Sequence, residues 1–154
     1  MKNSVCWALI PFIFILDRIT KILVMARWPE GGGVALVPGV LHLTRVNNTG
    51  AAFGLWKNAA LVLTGISIVS VVLILWYMRK LLSQVPVRGS VYGWALVAGG
   101  ALGNLYDRIR FGYVIDCIDL RVWPVFNIAD SSICLGVFLI LWQLLRKKNI
   151  PGRA

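Results

Sequence analysis

Apolar residues in this chain run in long blocks, with the polar ones gathered at their ends. Uncharged stretches cover Asn3 to Leu16, Asn58 to Met78, Gly89 to Tyr106 and Ser131 to Leu145. The second and third reach the ~18–20 residues that a membrane-spanning helix needs. The first and fourth fall short only because Asp17 and Asp130 interrupt otherwise apolar runs. Extended through those acids, both become long enough to span. The pattern predicts an all-α membrane protein of four transmembrane helices, at approximately 4–26, 58–78, 89–108 and 128–145, in one domain over 1–154.

Two connecting segments read differently. In the first, 27–57, Pro29 with Gly31, Gly32 and Gly33 marks a turn. Val34 to Val46 is then rich in branched apolar residues with partial alternation, which predicts short strands and a small extracytoplasmic sheet. His42 alternates with apolar neighbours and is expected to be a solvent-facing strand residue rather than a catalytic base. In the second segment, 109–127, Gly112 breaks the third helix and Tyr113 to Leu120 alternates like a strand. Asp116 then points to the face opposite Ile115 and Cys117.

Composition supports the membrane reading. The chain is 58% hydrophobic and 14% charged, with a mean hydropathy of +0.77, far from a soluble domain. Lys2 ahead of an apolar run resembles a secretory signal. No small-residue cleavage site follows, and Asp17, Arg18 and Lys21 stand where one would lie, so an uncleaved first helix is expected. A raw count of basic residues ties between the two sides. Clustering of Arg79, Lys80 and Arg88, and of Arg146, Lys147, Lys148 and Arg153, favours both termini in the cytoplasm. The net charge of +10 sits in short clusters beside the spans, which suits lipid headgroups rather than nucleic acid. Cys6, Cys117 and Cys134 with one histidine do not make a metal site.

Depth singles out the candidate chemistry. At 1.5 Å rise per residue from Lys2, Arg88 and Arg146, Asp17 lies roughly 22 Å into the membrane, and Asn104 and Asp130 roughly 24 Å. In a core about 30 Å thick, all three share one layer about 6–8 Å below the far surface. Intramembrane acids mark function by default, although interhelical hydrogen bonding accounts for some of them. Asp17 and Lys21 form an i,i+4 pair that anchors the first helix to the site. Gly99, Gly100, Ala101 and Gly103 form a small-residue face open to a helix or an extended peptide. Asp107 and Arg108 close the third helix, Asp107 as an interfacial acid or as partner of a nearby arginine. Asn48 with Gly50 reads as a turn, Asn48 serving as a cap or a substrate contact, while Ala51 and Ala52 permit close packing. Asn127 is a plausible N-cap of the fourth helix, which gives Asp130 a capping-box role as its plainest reading.

Taken together, these residues resemble the lipoprotein signal peptidases, or signal peptidase II, of bacteria. The resemblance runs through Asp-x-x-Thr-Lys at Asp17 to Lys21, Asn-x-Gly-Ala-Ala-Phe at Asn48 to Phe53 and Gly-Asn-Leu-x-Asp-Arg at Gly103 to Arg108. Gly-x-Val-x-Asp at Gly112 to Asp116 and Phe-Asn-x-Ala-Asp at Phe126 to Asp130 complete it. It implies an aspartyl endopeptidase that cuts diacylglyceryl-modified prolipoproteins before the lipidated cysteine. It also implies no cofactor, work as a monomer among membrane lipids, and a site near the extracytoplasmic face. Its catalytic aspartates fall on Asp116 and Asp130. Its substrate-binding or site-supporting positions fall on Asn48, Gly50, Asn104, Asp107, Arg108, Asn127 and Ala129. Cys117 departs from the phenylalanine usual there, altering packing or adding a reactive thiol. Asp119 competes for the dyad but is expected to be a surface acid. A proton-path transporter, a lipid-binding scaffold and a serine peptidase built on Ser131 or Ser132 are the rival readings.

Overall fold

In the computed structural model, which describes residues 2–50, 59–83 and 90–148, four helices carry a small antiparallel sheet. The helices are α1 (Lys2–Arg27), α2 (Ala59–Leu82), α3 (Ser90–Phe111) and α4 (Ile128–Lys148). The strands β1 (Gly33–Val37), β2 (Leu41–Asn48) and β3 (Val114–Asp119) form one sheet in the order β1-β2-β3. The close-packing positions Ala51 and Ala52, with Phe53, Lys57, Asn58 and Arg88, lie outside the described residues.

The bundle is inverted relative to a soluble protein. Phe12, Ile15, Ile19, Ile22 and Leu23 of α1 are exposed, as are Leu61, Ile66, Val69, Val72 and Trp76 of α2. Asp17, Arg18, Lys21, Asn104 and Asp107 are buried. An apolar exterior on this scale suits lipid rather than water. By length and apolarity α2 and α4 qualify as spans. Helix α1 carries Asp17, Arg18 and Lys21 inside the bundle, and α3 is rich in glycine with the buried Asn104 and Asp107, which lowers the apolarity of both.

Helix α3 touches all the other helices, and its glycines allow the close approach. A Cβ on Gly99 would meet Ile10 O at 2.9 Å, and one on Gly103 would meet Asp17 Oδ2 at 2.6 Å. Gly100 faces the backbone of Ala129. The small-residue face therefore receives helices α1 and α4, not an extended peptide. Gly112, with φ 80°, stops α3, its N–H donating to Arg108 O at 3.0 Å.

Candidate active site

Chain geometry first explains how residues on β3 and α4 meet. After β3 the backbone doubles back, and Phe126 bridges Ile118 with Phe126 N–H donating to Ile118 O at 3.0 Å. Asn127 is thereby set beside Asp116. It is also the residue before α4, and its backbone and side chain serve both neighbours.

Asp116 belongs to a strand pair in which Val46 lies opposite it and Asn48 lies opposite Val114. Diagonal neighbours of this kind share a face of the sheet. Asn48 Nδ2 donates to Asp116 Oδ2 at 2.9 Å, and Asn127 Nδ2 donates to Asp116 Oδ1 at 2.7 Å. Asp130 Oδ1 accepts from Asn104 Nδ2 at 2.7 Å, and its Oδ2 accepts from Asn127 N–H at 3.3 Å. Asn127 thus holds both carboxylates, one through its side chain and one through its backbone.

The orientation of each amide has a cause. Asn48 Oδ1 accepts Gly50 N–H at 2.8 Å, in a turn whose φ of 72° suits glycine. Asn127 Oδ1 accepts Asp130 N–H at 2.8 Å. Asn104 Oδ1 accepts from Lys21 Nζ at 3.0 Å. With each oxygen committed to a donor, each NH2 group is left for a carboxylate. Asn48 was open to capping or substrate contact on spacing alone; here it grips Asp116.

Behind this layer lies a buried ion cluster. Lys21 Nζ uses its three donors on Asp107 Oδ2 at 2.7 Å, Asp17 Oδ2 at 2.9 Å and Asn104. Arg18 Nη2 pairs with Asp107 Oδ1 at 2.6 Å and stands over the Tyr106 ring. Asp107 is therefore a buried partner of an arginine rather than an interfacial acid, and its Oδ2 also accepts Ile115 N–H at 3.2 Å. Asp17 Oδ1 accepts Ala129 N–H at 3.1 Å, which joins α1 to the first turn of α4. Arg108 is half-buried and reaches Ser67 on α2 at 3.3 Å. Arg18 and Ser67 are the members sequence reasoning missed. For Arg18 the signal was available: a cation in an apolar helix faces the bundle interior.

The capping-box reading of Asp130 is correct geometrically. Asn127 and Asp130 exchange the reciprocal bonds of a box at the start of α4. The same residues also face Asp116 and Asn104, so capping and site-building coincide. Two expectations need correction. Asp119 is buried, not a surface acid: Thr44 Oγ1 donates to it at 3.4 Å, Arg121 N–H at 2.8 Å, and Arg121 Nε lies at 3.6 Å. His42 is half-buried rather than solvent-facing, because Arg121, with φ 65°, folds back to place Nη2 at 2.6 Å from His42 Nδ1. Neither residue joins the Asp116 cluster.

Burial pushes the Asp116 carboxyl up to about 6; the Asn48 hydrogen bond opposes this, and the charge of Asp130 adds to it. A carboxyl so placed gains or loses its proton near neutrality, as a general acid or base must. Burial also pushes the Cys117 thiol up to about 11, which keeps it protonated and removes it as a reactive group. Among the described residues no cluster of histidine, cysteine and acid side chains is placed to hold a metal. A cavity of about 360 Å³ opens onto Asp130 between Leu120, Trp123, Phe126 and Cys134. Thr64 and Ser67 of α2 donate to carbonyls of their own helix, and Ser67 also accepts from Arg108.

The chain is similar to known proteins over most of its length. Residues 9–146 match the family described as Signal peptidase (SPase) II. The chain is 42% identical over 142 residues to the lipoprotein signal peptidase of Moorella thermoacetica, covering 92% of this chain and 93% of that one. It is 40% identical over 141 residues to the lipoprotein signal peptidase of Pelotomaculum thermopropionicum, covering 92% and 91%. A solved structure described as a bacterial membrane enzyme superposes with a TM-score of 0.85 at 28% identity, covering 98% of this chain and 93% of that chain.

Proposed function

The chain belongs to the signal peptidase II family, and from that premise we propose that it cuts diacylglyceryl-modified prolipoproteins immediately before the lipidated cysteine. Membership makes it a membrane aspartic peptidase with lipoprotein signal peptidase activity. The observation that carries the finer reading is the joining of Asp116 and Asp130 through Asn127.

Two carboxyls joined through one asparagine in a low-dielectric site share one proton rather than both ionise. The ionised member takes a proton from a bound water as the water oxygen attacks the scissile carbonyl carbon. The protonated member donates to the carbonyl oxygen as negative charge develops there. Collapse breaks the carbon–nitrogen bond, and the leaving amine takes up a proton from the dyad. Acid and base roles exchange during the cycle and belong to the pair. Asn48, Asn104 and Asn127 hold the two carboxylates through their NH2 groups and the Asn127 N–H. Lys21, held by Asp17 and Asp107, fixes the Asn104 amide from behind, Asp17 ties Ala129 at the start of α4 to α1, and Arg108 supports the α2 side.

All four helices cross the bacterial cytoplasmic membrane, both termini lie in the cytoplasm, and the protein works as a monomer in this reading. The site lies just under the outer surface, where acyl chains hold the modified cysteine. The apolar cavity beside Asp130 suits a lipidated substrate that arrives laterally from the bilayer. Purified protein in detergent is mixed with a diacylglyceryl-modified prolipoprotein, and loss of the signal peptide is followed on a gel. Cleavage before the lipidated cysteine is expected, falling at least roughly 10²–10⁴-fold in Asp116→Asn and Asp130→Asn. Asp119→Asn should keep it. Loss of cleavage in a folded Asp119→Asn alone would assign the dyad wrongly, and an inert wild type would sink the substrate assignment.

A further inference from the structure

A second cleft lies away from the dyad, under the sheet. It has a volume of about 520 Å³, and its walls include Thr20, Leu23, Arg27 and Trp28 at the end of α1, Leu43 of β2 and Cys117 of β3. The volume falls within the roughly 300–1,000 Å³ of ligand pockets. Cys117 lies on the strand face opposite Asp116, Ile118 and Ile128 line the cleft as well, and neither Asp116 nor Asp130 is among its walls.

Its charge is graded along the membrane normal. Thr20 to Arg27 covers about 10 Å of helix rise. With Asp17 about 6–8 Å below the outer surface, the Thr20 end lies in hydrocarbon. Arg27, exposed at the outer end, stands at headgroup level beside Trp28, the kind of residue found at a membrane interface. The cleft therefore offers an apolar floor that begins about 2–4 Å under the hydrocarbon surface at Thr20 and reaches that surface near Leu23, with a single cation above it at headgroup level.

We propose that this cleft binds one anionic phospholipid of the outer leaflet, its acyl chain entering past Thr20, the upper end of that chain against Leu23, Leu43 and Cys117, and its phosphate on Arg27. The inference rests on the outward placement of the site in the proposed function. The lipid would fasten the sheet to α1 independently of substrate, on the back of the strand that carries Asp116.

The test uses full-length protein delipidated in detergent, with phosphatidylglycerol or phosphatidylcholine added back and retention read by native mass spectrometry. Wild type should retain one phosphatidylglycerol in preference to phosphatidylcholine. Arg27→Gln should lower that preference about fivefold, the effect of one cation at a headgroup. Ala26→Trp and Cys117→Phe, which fill the cleft from opposite walls, should both shed the lipid, so one misfolded variant does not decide the matter. Equal retention of the two lipids, or retention unmoved by either filled cleft, would overturn the proposal. Displacement of the phospholipid by the lipidated substrate would overturn it too, by giving the cleft to substrate. Retention is read without cleavage, so an inactive enzyme counts against the peptidase reading alone.

Discussion

Asp116 combines a buried carboxyl with two amide donors, and the balance between them predicts a pH response. Burial raises its titration to about 6 and Asn48 pulls it down. The ionised fraction is lost as pH falls through that value. The acid limb of kcat/KM should therefore bend near pH 6, as an apparent value of the pair. Asn48→Ala removes a bond to the ionised form, so the limb should move to higher pH. A limb that stayed in place in Asn48→Ala would mean that the bond does not govern the active protonation state. The candidate acids were legible from the sequence because so few acids occur in an apolar chain. What separates Asp116 from Asp119 was not legible by burial, since both are buried. Their partners distinguish them: amides for one, Thr44 and Arg121 for the other.

At the scale of elements, α4 begins with the bonds that hold the dyad, and the two functions can be separated. Serine is as good an N-cap as asparagine but lacks the NH2 group that reaches Asp116. Asn127→Ser should keep thermal stability within about 1 kcal/mol of wild type while cleavage falls by roughly tenfold or more. Equal losses in melting and cleavage would leave Asn127 as a cap alone. The attachment of α1 is a different case, because Lys21 neutralises two acids in a fully buried cluster. Lys21→Met should cost about 3–5 kcal/mol through the unpaired charge left behind, measured by denaturation in mixed micelles. A loss under about 1 kcal/mol would mean that Arg18 suffices for both acids. Helices were readable from long apolar runs, and the strands from alternation and the break at Gly112. The amide orientations were not, since each depends on a donor from a distant element, as Lys21 does for Asn104.

Across the whole molecule, among the described residues, most acids lie inside with Arg18 and Lys21, most other cations gather at the helix ends, and apolar surface faces outward, with the sheet capping one end of the bundle. That arrangement sets a topology test. Cys6 and Cys117 are buried, so Cys134→Ser leaves a background suited to labelling. Val122→Cys, at a position 91% exposed beyond β3, should react with an impermeant maleimide on intact spheroplasts. Arg79→Cys, in the last turn of α2, should react only after the membrane is opened. The reverse result would invert the protein and put the site on the cytoplasmic side. Four spans were legible once the first and fourth apolar runs were extended through Asp17 and Asp130, which otherwise cut them short; the inward turn of their charge required the packed bundle. The shared bonds at the head of α4 also make the centre audible from the backbone. Protonation at Asp116 changes what the Asn127 amide can donate to, and the Asp130 N–H rests on that same side chain. The nitrogen-15 resonance of Asp130 is thus a gauge of the dyad's proton count in the resting enzyme, with no substrate bound.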